Sequence, residues 1–240
     1  MLVVGGSGGI GRAVCVEFAR HGWAVGVHYT RRLQEAETTA ELVAQAGGTA
    51  SLWQADVRDA AQVRTMVDRY AEERRRLDAL IVGSGVDGTG LVLRMTPEQW
   101  GEAVDVNLTG VFHCLQSAGR IMTAHRRGSI VVLASFVGFQ GQTGQAAYAA
   151  SKAGTMGLVR AAAYEWGEAN VRVNALCPGW HDTALTSGLM PAVLPSDHAL
   201  RRFVDRDDVA RTVYHLAELP AASGQVWNVD SRIVEELSAP

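Results

Sequence analysis

Apolar residues along the chain fall into short runs that are separated by longer segments with helical periodicity. The runs lie at about 2–4, 24–28, 50–53, 79–82, 129–134, 171–176 and 225–229. Short apolar runs that alternate with amphipathic helices are typical of parallel βαβ units, in which helices cover both faces of the sheet. The pattern therefore predicts an α/β chain with a doubly wound parallel sheet of about seven strands.

No linker, repeat or low-complexity tract interrupts this alternation, which predicts one domain over residues 1–240. An apolar content of 48% over 240 residues is enough for a well-buried core. No apolar stretch is long enough to cross a membrane. The formal net charge of −3 argues against a nucleic-acid or acidic-membrane partner. We therefore expect neither partner.

The cysteines and histidines show no pattern of a bridge or a metal site. Cys15, Cys114 and Cys177 are scattered and embedded in apolar segments, which is typical of small core residues in a reducing compartment. The seven histidines lack ligand spacing. We therefore expect no disulfide, no metal and a cytoplasmic location.

A glycine-rich segment, residues 5–11, follows the first apolar run and precedes a helical pattern. Glycines are needed where backbone approaches a pyrophosphate closely and a helix N-terminus offers free N–H groups. The spacing fits the dinucleotide fingerprint in two ways, as Gly6, Gly8 and Gly11 or as Gly5, Gly9 and Gly11. The alternative is a glycine turn that binds no ligand.

Tyr148 and Lys152 lie one helical turn apart and so share a helix face. A cation held there stabilises phenolate, and we expect it to lower the pKa of the tyrosine from about 10 toward neutrality. Such a phenol is suited to donating and accepting protons. Taken alone, the pair could equally be an exposed lysine stem over a half-buried ring.

Two polar residues accompany this pair. Ser135 follows the run 129–134 and precedes Tyr148 by thirteen residues. It is expected at the carboxyl edge of the sheet, where open α/β sheets bind ligands. Asn107 lies in a helical segment. The alternatives are a turn serine and an ordinary helix asparagine.

From Met1 to about Asp230 the chain resembles the short-chain dehydrogenase/reductase family, particularly its 3-oxoacyl-carrier-protein-reductase-like branch. The resemblance rests on motifs in the right order and separation: the glycine loop 5–11, Asp56-Val57, Asn107, Ser135, Tyr148 with Lys152, and Pro178-Gly179. It implies a single-domain Rossmann-type fold with a short substrate lid near residues 183–202.

The resemblance also implies roles for the catalytic residues. Tyr148 exchanges a proton with the substrate oxygen, and Ser135 hydrogen-bonds the same oxygen. Lys152 lowers the pKa of the tyrosine and binds the nicotinamide ribose. Asn107 holds a water that links Lys152 to solvent.

The resemblance places Asp56 and Val57 at the adenine edge, and Pro178, Gly179 and Thr183 at the nicotinamide. The full set of expected cofactor-binding residues is Gly5, Ser7, Gly9, Ile10, Gly11, Thr30, Arg31, Arg32, Asp56, Val57, Gly85, Tyr148, Lys152, Pro178, Gly179 and Thr183.

The end of the second strand bears on the choice of cofactor. An NAD-preferring protein places an acid there for the ribose hydroxyls, but this chain has no acid before Glu35. Arg31 and Arg32 can bind a 2′-phosphate, which favours NADP(H) over NAD(H). The alternative is two arginines at a solvated helix start.

Several positions depart from the family pattern. The family Asn-Asn-Ala-Gly stretch is residues 82–85 here, a threonine before the first glycine is Val4, and the final Val-Asp-Gly-Gly is residues 229–232. Arg126 and Arg127 match one carrier-docking position, whereas the other aligns with Ala169. The expected walls of the substrate pocket are Phe136, Phe139, Trp180, His181, Leu189 and Met190.

These features predict an NADPH-dependent reductase of a small carbonyl substrate, 3-oxoacyl-like, that interconverts a ketone and a secondary alcohol. The alternative is an NADP(H)-binding redox-responsive regulator or scaffold. A protein that only binds has no chemical need for a tyrosine proton relay, which favours the enzyme.

Two helical segments, 110–124 and 149–166, are apolar over more than one stripe. Relatives pair these helices across a two-fold axis, so we expect a homotetramer or a homodimer. The alternative is burial within one subunit. The apolar residues concerned are Val111, Leu115, Ala118, Ile121, Met122, Ala153, Met156, Leu158, Val159, Ala163 and Trp166.

Overall fold

The computed structural model describes residues 1–181 and 195–232, which build one seven-stranded parallel sheet. The strands lie side by side in the order β3-β2-β1-β4-β5-β6-β7. Their bounds are β1 Leu2–Val4, β2 Ala24–Tyr29, β3 Thr49–Gln54, β4 Ala79–Val82, β5 Gly128–Leu133, β6 Val171–Cys177 and β7 Val226–Asn228. The predicted doubly wound α/β fold is confirmed, with each strand within about a residue of its predicted bounds.

Helices connect the strands and cover both faces of the sheet. Their bounds are α1 Gly9–Arg20, α2 Leu33–Gln45, α3 Ala60–Arg74, α4 Pro97–Val104, α5 Gly110–Ala124, α6 Val137–Gln140, α7 Ala146–Trp166 and α8 Arg206–Glu218. A π-helical turn, Asp105–Thr109, joins α4 to α5. None of the helices in the described ranges is both long and apolar enough to span a bilayer.

Side chains of each strand point alternately to the two faces, and this alternation divides the core into two clusters. In β1, Leu2 and Val4 contribute to the cluster under α3, α5 and α7, whereas Val3 contributes to the cluster under α1 and α8. All three are fully buried. A sheet buried on both faces explains why its strands read as continuous apolar runs.

The order of the strands reverses between β1 and β4. The chain winds outward from β1 to β3 and then resumes on the other side of β1 with β4. In open α/β sheets, ligands bind outside the carboxyl ends of the strands at such a reversal of strand order. Gly5 follows β1 and Gly83 follows β4, and the Gly83 N–H donates to the carbonyl of Val4 at 2.8 Å. The sheet therefore places the glycine loop beside residues 83–85.

The starts of two helices are set by local side chains. The Asp59 carboxylate accepts hydrogen bonds from the N–H groups of Ala61 and Gln62, which begins α3. Thr96 and Gln99 form a capping box at the start of α4. The three cysteines are buried with free thiols, and burial raises the pKa of each, so they pack as small core residues as predicted.

Candidate active site

Ser135 and Tyr148 meet at the carboxyl end of β5. Ser135 lies two residues beyond the end of β5, and Tyr148 lies in the first turn of α7. The side chain of Ser135 forms a hydrogen bond with the Tyr148 hydroxyl, and this bond lowers the pKa of the phenol. The structure therefore brings these two predicted residues together.

Lys152 lies behind the Tyr148 ring, on the same face of α7. Its side chain is buried, its Nζ is 5.7 Å from the centre of the Tyr148 ring, and Nζ donates to the carbonyl of Leu133 at 2.8 Å. Burial lowers the pKa of Lys152 to about 8. The shared helix face, predicted from the spacing, is confirmed.

The predicted lowering of the Tyr148 pKa is not found. Loss of solvent raises this pKa to about 12, and the hydrogen bond with Ser135 offsets only part of the rise. The lysine ammonium is directed to the Leu133 carbonyl rather than to the phenol oxygen. Spacing along a helix predicts that two groups are neighbours, but burial decides which ionisation state is favoured.

Asn107 lies in the π-helical turn between α4 and α5 and is fully buried. Its amide both accepts from the Val86 N–H at 2.8 Å and donates to the Val86 carbonyl at 2.9 Å. A Cβ built on Gly85 would lie 3.3 Å from Asn107 Oδ1 and 4.0 Å from Lys152 Nζ. Asn107 thus holds the segment after β4 against the lysine, and its role in holding a water stays a prediction.

The glycine loop adopts only one of the two spacings that the sequence allowed. Gly5 has φ +81°, and a Cβ on Gly11 would lie 2.2 Å from the carbonyl oxygen of Gly5. Gly9 also has positive φ. A Cβ on Gly8, in contrast, would meet no atom of the described residues within 4 Å. The fold therefore requires glycine at Gly5, Gly9 and Gly11.

Arg12 is a residue at this loop that sequence reasoning missed. Its guanidinium donates to the carbonyl of Ser7 at 2.9 Å and to Thr39 Oγ1 of α2 at 3.1 Å. Arg12 thus holds the glycine loop, which includes Ser7 and Ile10, against α2. Its position directly after Gly11 was the only available signal.

The ends of β2 and β3 meet at the edge assigned to the adenosine. Arg31 and Arg32 are exposed ahead of α2, and the Thr30 carbonyl accepts from Gln54 at 3.1 Å. Hydrogen bonds from Arg58 lower the pKa of Asp56 to about 2, and the charge of Arg31 adds to this.

The next residue along this edge is Val57. It is buried, and its carbonyl lies 3.0 Å from a ring nitrogen of His113 on α5. The residues predicted to bind the adenosine therefore lie along one edge of the sheet. At this edge the carboxylate of Asp56 interacts with Arg58 and Arg31.

The predicted nicotinamide loop follows β6. Gly179 has φ +81°, and a Cβ there would lie 2.8 Å from the Cβ of Asp230. The carbonyl of Pro178 lies 2.9 Å from Nε2 of His181, whose pKa is lowered by burial. Thr183, Leu189, Met190 and the first part of the predicted lid, residues 183–194, lie outside the described residues.

The later part of the predicted lid packs on the segment after β7. The Ala199 N–H donates to the Ser231 carbonyl at 3.0 Å, and the buried His198 lies 4.0 Å from Asp230. This end of the segment therefore lies near the loop that contains Gly179.

Arg232 is a second residue that the sequence did not reveal. Its guanidinium carbon lies 4.0 Å from the centre of the Phe136 ring, and its Nε donates to Asp230 at 2.7 Å. Its side chain is only 11% exposed. Phe136 packs edge-on against Phe139, and the role of these rings as a pocket wall stays a prediction. The altered segment 229–232 thus places a cation, paired with Asp230, over the ring of Phe136, the residue after Ser135.

Comparisons with known proteins agree with this geometry. A model of the short chain dehydrogenase family matches residues 1–193. The chain is 36% identical over 234 residues to a 3-oxoacyl-acyl-carrier-protein reductase of Staphylococcus aureus, with 95% of each protein covered. It is 36% identical over 237 residues to the reductase of the same name from Synechocystis, with 97% of this chain and 96% of the relative covered.

Solved structures show the same likeness. Levodione reductase superimposes with a TM-score of 0.89 at 28% identity, covering 96% of this chain and 95% of that one. A variant of actinorhodin polyketide ketoreductase with NADPH gives the same TM-score, identity and coverage. The chain therefore belongs to the short-chain dehydrogenase family of oxidoreductases, in its 3-oxoacyl-carrier-protein-reductase-like branch.

Proposed function

We propose that the protein is an NADP(H)-dependent reductase of small ketones, 3-oxoacyl-like, with Tyr148 as the proton donor. The observation that carries the proposal is the hydrogen bond between Tyr148 and Ser135, with the buried Lys152 behind the ring. Two hydroxyl groups that converge at the carboxyl edge of the sheet can bind one carbonyl oxygen between them.

The chain supports carbonyl reduction through its own groups. A bound nicotinamide would supply the hydride. With a pKa of about 12, Tyr148 is protonated at neutral pH and can give its proton to the oxygen as negative charge develops. Ser135 would donate a second hydrogen bond to the same oxygen. Lys152, through a water held by Asn107, would return a proton from solvent to the phenol.

The residues present fit a dinucleotide. The contact of Gly11 with Gly5 folds the loop tightly and leaves the N-terminus of α1 open to a phosphate. Within the described ranges, the buried hydroxyl of Ser84 beside this loop has no hydrogen-bond partner. A buried hydroxyl without a partner is costly, and a polar ligand in the crevice would relieve that cost. The glycine loop, Gly85 and the loop at Pro178 would hold the cofactor.

The charge at the end of β2 supports NADP(H) rather than NAD(H). Arg31 and Arg32 are exposed there, and the nearby Asp56 is engaged by Arg58. Asp56 is thus already paired, whereas the two guanidinium groups at this edge can bind a 2′-phosphate.

The names of the relatives, a 3-oxoacyl reductase and a polyketide ketoreductase, support a 3-oxoacyl-like substrate. Carrier docking has less support. Arg126 donates to the carbonyl of Glu168, which places it beside the neutral Ala169 where a second basic residue would be needed. We therefore favour a small-molecule substrate.

Oxidation of NADPH in the presence of β-keto thioesters, quinones and small ketones tests the proposal. We expect consumption of NADPH with a matching loss of the carbonyl for at least one β-keto thioester, and none with the Tyr148→Phe variant. Tight binding of NADPH without turnover of any compound would instead support the regulator or scaffold.

A further inference from the structure

His28 is a buried histidine whose two ring nitrogens both contact main-chain groups of other strands. The Gly5 N–H, just after β1, donates to Nδ1 at 3.0 Å. Nε2 lies 3.0 Å from the carbonyl oxygen of Ala55, just after β3. His28 itself is the next-to-last residue of β2. One imidazole ring thus connects the ends of three neighbouring strands.

The two hydrogen-bond partners of His28 determine the protonation state and tautomer of its ring. The Gly5 N–H can only donate, so Nδ1 must accept, and the Ala55 carbonyl can only accept, so Nε2 must carry the hydrogen. The ring is therefore neutral, with its proton on Nε2. Burial lowers the pKa of His28 to about 4, which keeps this form at neutral pH.

The three connected positions border the proposed adenosine pocket. Gly5 opens the glycine loop, Ala55 precedes Asp56 at the adenine edge, and His28 is two residues from Thr30. Each of these segments holds residues that the cofactor would contact. A shift of one relative to another would misplace several contacts at once.

We propose that His28 is a positioning residue for cofactor binding, which fixes the glycine loop relative to the ends of β2 and β3. The inference rests on the proposed function. The decisive contact is the one with Gly5, because Gly5 sets the direction of the phosphate-binding loop. Without an acceptor at Nδ1, the Gly5 N–H loses its hydrogen bond and the loop is free to move.

Two substitutions separate the contacts of the ring. In a His28→Asn variant, Oδ1 takes about the place of Nδ1 and keeps an acceptor for Gly5 without reaching Ala55. In a His28→Gln variant, the longer side chain reaches Ala55 but presents no acceptor at the place of Nδ1. A third variant, His28→Leu, removes both contacts at similar volume.

The test is titration of the full chain with NADPH and with ADP-ribose, which contains the adenosine and the pyrophosphate but no nicotinamide. We expect His28→Gln and His28→Leu to raise both dissociation constants about tenfold, the loss of about one hydrogen bond. We expect His28→Asn to stay within about threefold of wild type. Val67→Ala in α3 removes buried volume from the core away from the loop and is the control for general destabilisation.

Each outcome has one meaning. If the wild-type chain does not bind NADPH, the proposed function fails. If wild type binds and His28→Gln binds as tightly as His28→Asn, the positioning role is wrong and His28 only stabilises the fold. If Val67→Ala weakens binding as much as His28→Gln, the effect reflects general stability and the proposal is overturned. The Asn and Gln variants decide the question even if His28→Leu does not fold.

Discussion

At the scale of single residues, burial decides the ionisation of the two groups that carry the proposed chemistry. Tyr148 keeps its proton well above neutral pH and Lys152 gives up its proton more readily than a free lysine. Both shifts have desolvation as their largest cause. The site is therefore arranged to hold a neutral phenol that can act as an acid.

Replacing Tyr148 with Phe should reduce turnover by at least about a thousandfold while NADPH binding stays within about twofold, since only the proton donor is lost. Lys152→Ala should impair both turnover and binding. Steady-state rates and cofactor titration of the two variants measure this. If the Phe variant keeps more than a few per cent of the wild-type rate, Tyr148 is not the acid.

Lys152 should also give a pH-dependent contribution to stability. Its pKa falls from 10.5 in the unfolded chain to about 8 in the folded protein, so between these values the unfolded state binds more protons. The contribution of Lys152 to the free energy of unfolding therefore rises with pH and is lost as pH falls toward 8.

Lys152→Met removes this titration. Relative to the variant, wild type should gain about 2 kcal/mol in free energy of unfolding between about pH 8 and pH 10. Urea unfolding of both proteins across this range is the measurement. A difference that does not change with pH would show that Lys152 is not desolvated.

At the scale of elements, the glycine loop and the end of β2 are the parts of the chain that would shape the proposed cofactor crevice. The loop is tight because Gly11 packs on Gly5, while Gly8 points into open space. The end of β2 is cationic because Arg31 and Arg32 are exposed beside an acid that is already paired. One element sets the shape of the crevice and the other sets its charge.

Replacing Gly11 with alanine should harm the protein, whereas replacing Gly8 with alanine should have little effect. In Gly11→Ala the added Cβ meets the Gly5 carbonyl, so we expect a loss of several kcal/mol in stability or no NADPH binding. Gly8→Ala, where the Cβ is free, should change stability by less than about 0.5 kcal/mol. Thermal unfolding and NADPH titration of the two variants are the measurements. Equal effects of the two substitutions would contradict the requirement for glycine at Gly5, Gly9 and Gly11.

Replacing Arg31 and Arg32 with neutral residues should weaken the binding of NADPH far more than the binding of NADH. Each charge-assisted hydrogen bond to the 2′-phosphate is worth about 1.5–3 kcal/mol, so the double variant should bind NADPH at least about tenfold more weakly. The affinity for NADH should change little. Competition titrations with both cofactors give the ratio, and an equal loss for both would remove the basis for NADP preference.

At the scale of the whole molecule, the outer face of α5 and α7 is not formed by the residues that the sequence suggested. Most of them, Val111, Leu115, Ala118, Met122, Met156, Val159 and Ala163, are buried in the core of the same chain. Burial within the subunit therefore explains these positions. Phe112 on α5 and Tyr164 on α7 are instead exposed, Tyr164 by 90%.

We still expect a homotetramer or a homodimer, with these two exposed aromatic residues in the contact. Tyr164→Asp should shift the protein to a smaller species, because it would bury a charge in that contact. Leu219→Asp, an exposed residue after α8, is the control and should not change the assembly. Light scattering at micromolar concentration decides, and a fully active wild-type monomer of 25.7 kDa would rule out the assembly.

Local patterns in the sequence determined much of this protein. The alternation of apolar runs and helices predicted the strands to within about a residue, and the spacing of Tyr148 and Lys152 predicted a shared helix face. The position of Ser135 after a buried run predicted that it would lie at the ligand edge. These features depend on neighbours along the chain, where the periods of helix and strand apply.

Contacts between distant segments decided the rest. Which glycines are required depends on what packs against each, and the direction of the Tyr148 pKa shift depends on how much solvent the fold removes. His28 meets Gly5 and Ala55, 23 and 27 residues away, and Arg232 meets Phe136 from the other end of the chain. Such pairs leave no period in the sequence, because three-dimensional packing alone brings their atoms together.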